Sequence, residues 1–277
     1  MKTNVWTSIL ASTFAAVLVV QVGVAGDPPK GAAGTVSTLA VPLEGFKWGM
    51  SRKDVVKVHN QVGGVFDKDF QPVMQKLQPG IRMQAVEAER ETAKLAFERS
   101  WIEFKDTPVG YDATPLKGEY SYKNKEAVQV LTRAGKRRFF FYFGDPGGER
   151  LWKIYDEVPF SDTVGANYND AVKKTNGLLG GIGAHRPADA AKGFSTPYVS
   201  WSDATTHFRL VDRTSEGMVG MVLEDKSVLG ALPQLRSNKV TDPMSIDPTI
   251  AALTKSGVSD PNAKVDAGAP LPKKKGK

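Results

Sequence analysis

The spacing of apolar residues in the middle of the chain predicts three helices. Ser51 precedes Val55, Val56 and Val58, so it is expected to cap the start of a short amphipathic helix. Residues 167–179 place apolar side chains at similar intervals and run into a glycine-rich segment that would end a second short helix. Between them, residues 81–99 mix apolar and charged positions over a length that predicts a longer helix.

Runs rich in aromatic and branched residues predict strands in two groups. The first group comprises residues 100–105, 119–122, 128–133, 137–143 and 150–156, and the second comprises residues 198–203, 206–211 and 218–224. Short turn sequences, such as Ala134-Gly135-Lys136, separate several of them at hairpin spacing. The pattern therefore predicts an α+β fold of antiparallel β-meanders packed with short helices.

The order of a helix followed by strands occurs twice, which defines a first α+β unit at residues 41–160 and a second at residues 161–236. An internal duplication explains this order, and so does a chance repetition of common elements. The small residues of segment 27–40 predict a linker, with order beginning near Val41. Residues 237–277 contain five prolines and end on lysines, which predicts a disordered basic tail.

The first 26 residues have the pattern of a secretory signal peptide. Lys2 precedes an apolar run at residues 9–20, and the small residues Val24-Ala25-Gly26 follow it. A membrane span needs ~20 apolar residues, so cleavage is favoured over the alternative of an uncleaved anchor. No later segment is apolar enough to span a membrane, and a periplasmic or extracellular location is expected.

Composition and charge narrow the classes of function. The 277 residues, with 41% hydrophobic and 24% charged, exclude collagen-like, coiled-coil and wholly disordered chains. Cysteine is absent, which excludes disulfides, thiol nucleophiles, cysteine metal sites and a lipid anchor built on cysteine. Residues 237–277 supply +3 of the net charge of +7, so the folded body is nearly balanced and nucleic-acid binding is disfavoured. Weak contact with anionic surfaces is expected only through Lys273, Lys274, Lys275 and Lys277.

Two segments have the composition of a ligand site. In residues 136–143 a basic turn enters five consecutive aromatic residues, a combination that can stack single-stranded nucleic acid. Strand alternation would place the odd-numbered aromatic residues on one face and the even-numbered ones, with Arg138, on the other, so a strand buried on both faces explains the run. Residues 177–183 have the glycine density of a phosphate loop but close a helix, which favours a capping role.

The three histidines, His59, His185 and His207, offer no spacing typical of a metal site. His207 is the best candidate base, because Ser202 and Asp203 lie across a tight predicted hairpin from it. Good turn chemistry explains the same residues, and Ser202 is not in a Gly-x-Ser-x-Gly motif, so the structural explanation is favoured.

Carboxylates and tryptophans give two further candidate sets. Glu87 and Glu91 would share one face of a helix, and Glu89 would lie on another. A solvent-exposed helix face explains this pattern and is favoured over a pair of catalytic carboxylates like that of a glycosidase. Core packing is favoured over a sugar or peptide cleft for four of the five tryptophans, which are Trp48, Trp101, Trp152 and Trp201. No catalytic, metal or cofactor-binding residue is therefore assigned, and no cofactor is expected.

The segment Gly45-Phe46-Lys47-Trp48-Gly49-Met50-Ser51-x-x-x-Val55 resembles the helix opening of small bacterial envelope domains. These include the outer-membrane-assembly lipoprotein family SmpA/OmlA, which is BamE-like and pairs a short helical segment with a three-stranded antiparallel meander. The lipid-bearing cysteine of that family is missing here, so membrane assembly is not implied. Together with the aromatic strand Leu151-Trp152-Lys153-Ile154-Tyr155, the opening is also similar to uncharacterised secreted bacterial proteins.

These observations predict an exported, non-catalytic binding, scaffold or assembly protein of the bacterial cell envelope, with an unknown envelope protein or polymer as its partner. The alternative is a cofactor-free secreted hydrolase. An enzyme would need polar groups that converge in a partly buried pocket, whereas a binding module would offer an exposed apolar patch or a free sheet edge.

We expect the mature chain to begin at or next to Asp27, because small residues follow the short apolar run. Intact-mass measurement and N-terminal sequencing of the exported protein test this prediction. Recovery of Met1 to Gly26 in a membrane-bound form would contradict it.

Overall fold

One antiparallel sheet and five helices make up the described part of the chain. The computed structural model describes residues 34–39, 45–133, 136–145, 147–189 and 196–238. The helices are α1 (Arg52–Asn60), α2 (Val65–Met74), α3 (Ile81–Arg99), α4 (Tyr168–Leu179) and α5 (Lys226–Leu235). The strands are β1 (Ile102–Glu103), β2 (Glu126–Arg133), β3 (Lys136–Asp145), β4 (Gly148–Pro159), β5 (Ala184–Arg186), β6 (Tyr198–Ser202), β7 (Thr206–Arg213) and β8 (Met218–Asp225).

Two four-stranded meanders share the sheet and meet through their last strands. The strand order is β1-β2-β3-β4-β8-β7-β6-β5, and β4 pairs antiparallel with β8, with Ile154 opposite Leu223. The predicted α+β class with antiparallel meanders and helices is confirmed. Because β4 and β8 hold the same place in their meanders, the arrangement is one that an internal duplication would produce.

Helices cover one face of the sheet and a long connection covers the other. The helical face carries Phe140 and Trp201, which pack among residues of α1–α3 and α4 respectively. The loop face carries Phe141 and Tyr155, and it is covered by residues 104–125 and by apolar side chains of α5. The predicted burial of strand 137–143 on both faces is confirmed.

The predicted helix boundaries follow from local capping. Ser51 accepts a hydrogen bond from the backbone N–H of Asp54, whose carboxylate accepts one in return, and this capping box begins α1. At the end of α4, Gly180 has a φ of +65°, the left-handed conformation that glycine adopts most readily. The glycine-rich segment 177–183 therefore closes a helix, as predicted.

Residues 119–122 are not a strand, contrary to the prediction. They belong to the connection that crosses the loop face, where the ring of Tyr120 stacks on Phe104 at 3.9 Å. Lys123 and Lys125 have φ values of +60° and +58°, so the chain turns sharply before β2. The aromatic residues of this segment pack against the sheet. Their burial explains why the segment has an aromatic composition typical of a strand.

The predicted linker is also partly wrong, because residues 34–39 pack on the second meander. Thr35 forms a parallel bridge with Ser202, and Leu39 is buried against the helical face. The small residues that predicted a linker allow this close approach: a Cβ on Gly34 would lie 2.9 Å from the Cβ of Ala184.

The described chain ends two residues beyond the predicted second unit. Asn238 donates its backbone N–H to Asn124 Oδ1 at 3.0 Å. The predicted signal peptide and the rest of the predicted basic tail lie outside the described residues. None of the helices in the described ranges combines the length and apolar character needed to cross a bilayer.

Trp152 is expected to be a major source of stability, because its side chain is only 1% exposed and packs 5.2 Å from the ring of Phe143. Trp152→Ala should lower the free energy of unfolding by ~3–5 kcal/mol, as large aromatic truncations do. Denaturant melts measure this, with the half-buried Trp101→Ala as a variant expected to lose less. A loss below ~1 kcal/mol for Trp152→Ala would contradict its core position.

Candidate functional site

Four charged side chains, three of them buried and the fourth, Glu119, only 12% exposed, form a cluster on the loop face at β4, β7 and β8. We call Glu119, Lys153, Arg209 and Glu224 the charge cluster. Arg209 is 2% exposed and donates to Glu224 at 2.8 and 3.0 Å and to Glu119 at 2.7 and 3.2 Å. The ammonium of Lys153 lies 3.0 Å from a carboxylate oxygen of Glu119. Each cation therefore contacts at least one carboxylate.

A β-bulge places Trp152 and Lys153 side by side on the loop face. Phe141 pairs with Lys153 and Tyr142 pairs with Leu151, so Trp152 is the extra residue between these two pairs. The Lys153 ammonium lies 4.5 Å from the ring centroids of both Phe141 and Trp152, so both residues of the bulge face the same side. Strict alternation would have placed only one of these two consecutive residues on the loop face.

The electrostatics of the cluster keep both carboxylates ionised. Burial would raise the pKa of Glu119, but the charges of Arg209 and Lys153 outweigh it and lower this pKa to about 2. Burial would likewise raise the pKa of Glu224, and Arg209 with His207 lowers it well below its usual range. Burial lowers the pKa of Lys153, whereas the carboxylates raise that of Arg209, so at neutral pH the Arg209 guanidinium is the permanent cation that faces both carboxylates.

The cluster attaches the connection 104–125 to the sheet. Glu119 belongs to this connection, whereas its partners lie on strands of both meanders. Arg236, which follows α5, donates to Glu126 at 2.7 and 3.0 Å and to the carbonyl oxygen of Glu119 at 3.1 Å. These contacts are those of a structural clamp, and a general base for neutral pH would need a pKa much closer to 7.

Asp203 and His207, which the sequence brings together, do not pair with each other. Asp203 accepts hydrogen bonds from the backbone N–H groups of Leu39, Thr205 and Thr206 at 2.6, 2.8 and 2.7 Å. Burial opposes these donors, but they hold the pKa of Asp203 below its ordinary value. The turn explanation for Asp203 is confirmed, and Glu224 takes its place beside His207, with Nδ1 2.9 Å from Oε2.

The other two histidines lie in different environments, one buried and one exposed. His59 is buried among aromatic rings, with its centroid 4.4 Å from that of Phe97, and its Nδ1 lies 2.8 Å from the Val55 carbonyl oxygen. Burial lowers the pKa of His59 to about 3, so this imidazole is neutral. His185 is exposed on β5.

The remaining candidates occupy structural positions. On α3, Glu91 is exposed and pairs with Lys94 at 3.0 Å. Trp152 and Trp201 are buried on opposite faces of the sheet, which confirms core packing for these two. Trp48 is half-buried and donates its indole N–H to Thr206 Oγ1 at 3.0 Å.

The charge cluster forms no metal centre in the part of the chain that the structure describes. Within the described ranges, no three His, Asp or Glu side chains are grouped so that they could hold a metal ion. A cavity of about 230 Å³ lies elsewhere, at the start of α2. It is lined by Gly45, Val58, Gln61, Gly63, Gly64, Val65 and Lys68.

No family model, curated protein or solved structure matches this chain. A functional assignment therefore depends on the geometry of this chain itself. The charge cluster was missed from the sequence because Glu119 and Arg209 are 90 residues apart. The one local signal was an isolated lysine within the apolar segment Leu151-Trp152-Lys153-Ile154-Tyr155.

Glu119→Gln should lower the free energy of unfolding by ~3–5 kcal/mol at pH 7, because it leaves buried cations with too few carboxylates. The folded pKa of about 2 lies below the ordinary 4.5, so this stabilisation is present above about pH 4.5 and is lost as the pH falls towards 2. Denaturant melts of both proteins at several pH values should therefore give a difference that shrinks in acid.

The exposed Glu91→Gln is the matched control and should change stability by less than ~0.5 kcal/mol. The neutral burial of His59 also lowers stability in acid, but it does so equally in both proteins. A pH-independent difference, or a Glu119→Gln effect as small as that of Glu91→Gln, would contradict the clamp.

Proposed function

We propose that the protein is an exported, non-catalytic binding, scaffold or assembly protein of the bacterial cell envelope. The observation that carries this proposal is the mutual neutralisation of the charge cluster, in which Arg209 and Lys153 hold both carboxylates. Charges arranged in this way stabilise one conformation of the chain and are poorly suited to move protons at neutral pH. The sheet then acts as a rigid support for surface contacts.

Export is supported by the sequence of the first 26 residues. A lysine, a short apolar run and small residues are the pattern of a cleaved signal, and the absence of cysteine removes the usual means of lipid attachment to an envelope lipoprotein. The folded body then depends on hydrophobic packing and on the charge cluster instead of disulfides.

The two segments that resemble bacterial envelope proteins are in direct contact. Gly49 donates its backbone N–H to the carbonyl oxygen of Leu151 at 2.8 Å, and Leu151 donates to the carbonyl oxygen of Met50 at 2.8 Å. The Trp-Gly-Met-Ser opening is thus hydrogen-bonded directly to the aromatic strand β4. This contact supports the interpretation of the two segments as one structural unit.

The turn between α1 and α2 is the contact site we favour for a partner. Val62 is 97% exposed there, and its neighbours Gln61, Gly63 and Gly64 line the cavity of about 230 Å³. An apolar side chain beside a concave surface offers a partner both an anchor and a recess.

Crosslinking and affinity capture of the tagged mature protein from its native envelope, with mass spectrometry, test the binding role. We expect a defined envelope component that is captured again when purified, with Val62→Asp reducing capture at least tenfold. Ile182→Asp is the matched control, because Ile182 is 73% exposed on the second unit. Failure to enrich any component over the tag alone would contradict the binding role, and full capture by Val62→Asp would contradict this contact site.

A cofactor-free hydrolase is the second candidate, and one observation favours it. His207 contacts Glu224 through Nδ1, and Ser202 lies directly opposite His207 on the neighbouring strand.

A further inference from the structure

Ser202, His207 and Glu224 form a row across three adjacent strands. Ser202 on β6 is the cross-strand partner of His207 on β7, and His207 is the partner of Glu224 on β8. Directly paired residues of antiparallel strands project from the same face, with Cβ atoms about 4.5–5.5 Å apart. The row therefore brings a hydroxyl, an imidazole and a carboxylate together on the loop face.

Burial decreases along the row from the carboxylate to the imidazole, as in a catalytic triad whose carboxylate is the buried member. The Glu224 side chain is 4% exposed and is fixed by Arg209, whereas the His207 side chain is 21% exposed. The Nδ1 atom of His207 lies 2.9 Å from Glu224 Oε2, which orients the ring. Because Glu224 and Ser202 lie on opposite sides of His207, the second ring nitrogen, Nε2, is the one available to Ser202.

The Ser202 hydroxyl is weakly held. Its Oγ lies 3.5 Å from the carbonyl oxygen of Gly34, at the limit of a hydrogen bond. A change of the Ser202 rotamer moves Oγ towards the ring of its cross-strand partner, since the two Cβ atoms are close.

We propose that Ser202 is a nucleophile and His207 its general base, in a site that hydrolyses short-chain esters. Glu224 is a positioning residue that holds the imidazole. This inference deepens the second candidate function, the cofactor-free hydrolase, and would replace the non-catalytic assignment of the first. It is independent of the contact site at Val62, since the row lies on the second meander and Val62 lies on the first unit.

The proposed reaction follows the steps of nucleophilic catalysis by a serine with a histidine as general base. Ser202 Oγ forms a bond to the ester carbonyl carbon while its proton passes to His207 Nε2. The bond to the alcohol oxygen then breaks, and the alcohol leaves with that proton. Water attacks the acyl-serine and gives its proton to His207, and the carboxylic acid leaves as the proton returns to Ser202 Oγ.

The surroundings of Ser202 favour a small, water-soluble acyl group. The next residue, Asp203, accepts a hydrogen bond from the Lys226 ammonium through its carbonyl oxygen at 2.6 Å. Thr205 completes the same turn and donates its backbone N–H to Asp203 at 2.8 Å. A polar turn that carries an ionised carboxylate suits a polar substrate better than an extended apolar acyl chain.

Labelling with a fluorophosphonate probe, followed by mass spectrometry of the peptides, tests the nucleophile. We expect a single adduct on Ser202 of the full mature protein, lost in Ser202→Ala and formed at least tenfold more slowly in His207→Gln. Ser200→Ala is the matched control, because Ser200 lies two residues earlier on β6 and is paired with Arg209 instead of a histidine. This control should label at the wild-type rate.

The melting temperature of each variant shows whether it is folded. A downfield proton resonance from His207 Nδ1–H, lost in His207→Gln and shifted in Glu224→Gln, reports the positioning contact separately from stability. Absence of a wild-type adduct while a reference serine hydrolase labels in the same tube would overturn the proposal. So would an adduct that persists in folded Ser202→Ala. Partner capture by Ser202→Ala should stay unchanged, which separates this inference from the binding role.

Discussion

The contacts of Arg209 with two carboxylates join parts of the chain that are distant in sequence. Glu119 comes from the connection over the loop face, Glu224 comes from β8, and Arg209 lies on β7 between them. A buried arginine is stable only where its charge and its N–H groups are matched. The guanidinium therefore fixes Glu119 over β7 and β8, and the apolar side chains of Leu116 and Tyr120 hold the same connection against the sheet.

A buried ion cluster contributes more to selecting one conformation of the chain than to its free energy of unfolding. Replacing a whole buried cluster by well-packed apolar residues can be neutral, whereas removing one member leaves a charge without a partner. In this chain the apolar cores on both faces of the sheet supply the hydrophobic stabilisation. The charge cluster selects which segment covers the loop face, and it leaves the surface free to carry binding residues.

Much of the fold could be predicted from local signals. Ser51 begins α1, Gly180 ends α4, and the alternating aromatic residues of β3 are buried on both faces, because capping and strand alternation depend on neighbouring residues only. The strand assigned to residues 119–122 was wrong because Tyr120 has strand-like chemistry but packs from a turn-rich connection. The start of α2 lacks a side-chain cap and the helix contains Pro72, so its signal was weak.

The candidate site could not be predicted from local signals, because its residues come together through strand register and tertiary contacts. Trp152 and Lys153 both face the loop side because Trp152 is the extra residue of a bulge, whereas strict alternation places two consecutive residues on opposite faces. Asp203 matched the expected acid for His207 in spacing, but its oxygens are occupied by the N–H groups of its own turn and of Leu39. Glu224 pairs with His207 because β7 and β8 are consecutive antiparallel strands, and the register of this pair decides which residues lie opposite each other.

A double-mutant cycle between Glu119 and Arg209 tests the central claim most directly. The free energies of unfolding of the wild type, Glu119→Gln, Arg209→Met and the double variant give the coupling between the two side chains. The account predicts a favourable coupling above ~1.5 kcal/mol, in the upper part of the range for contacting residues. A coupling below ~0.5 kcal/mol, the value expected of independent sites, would contradict the account.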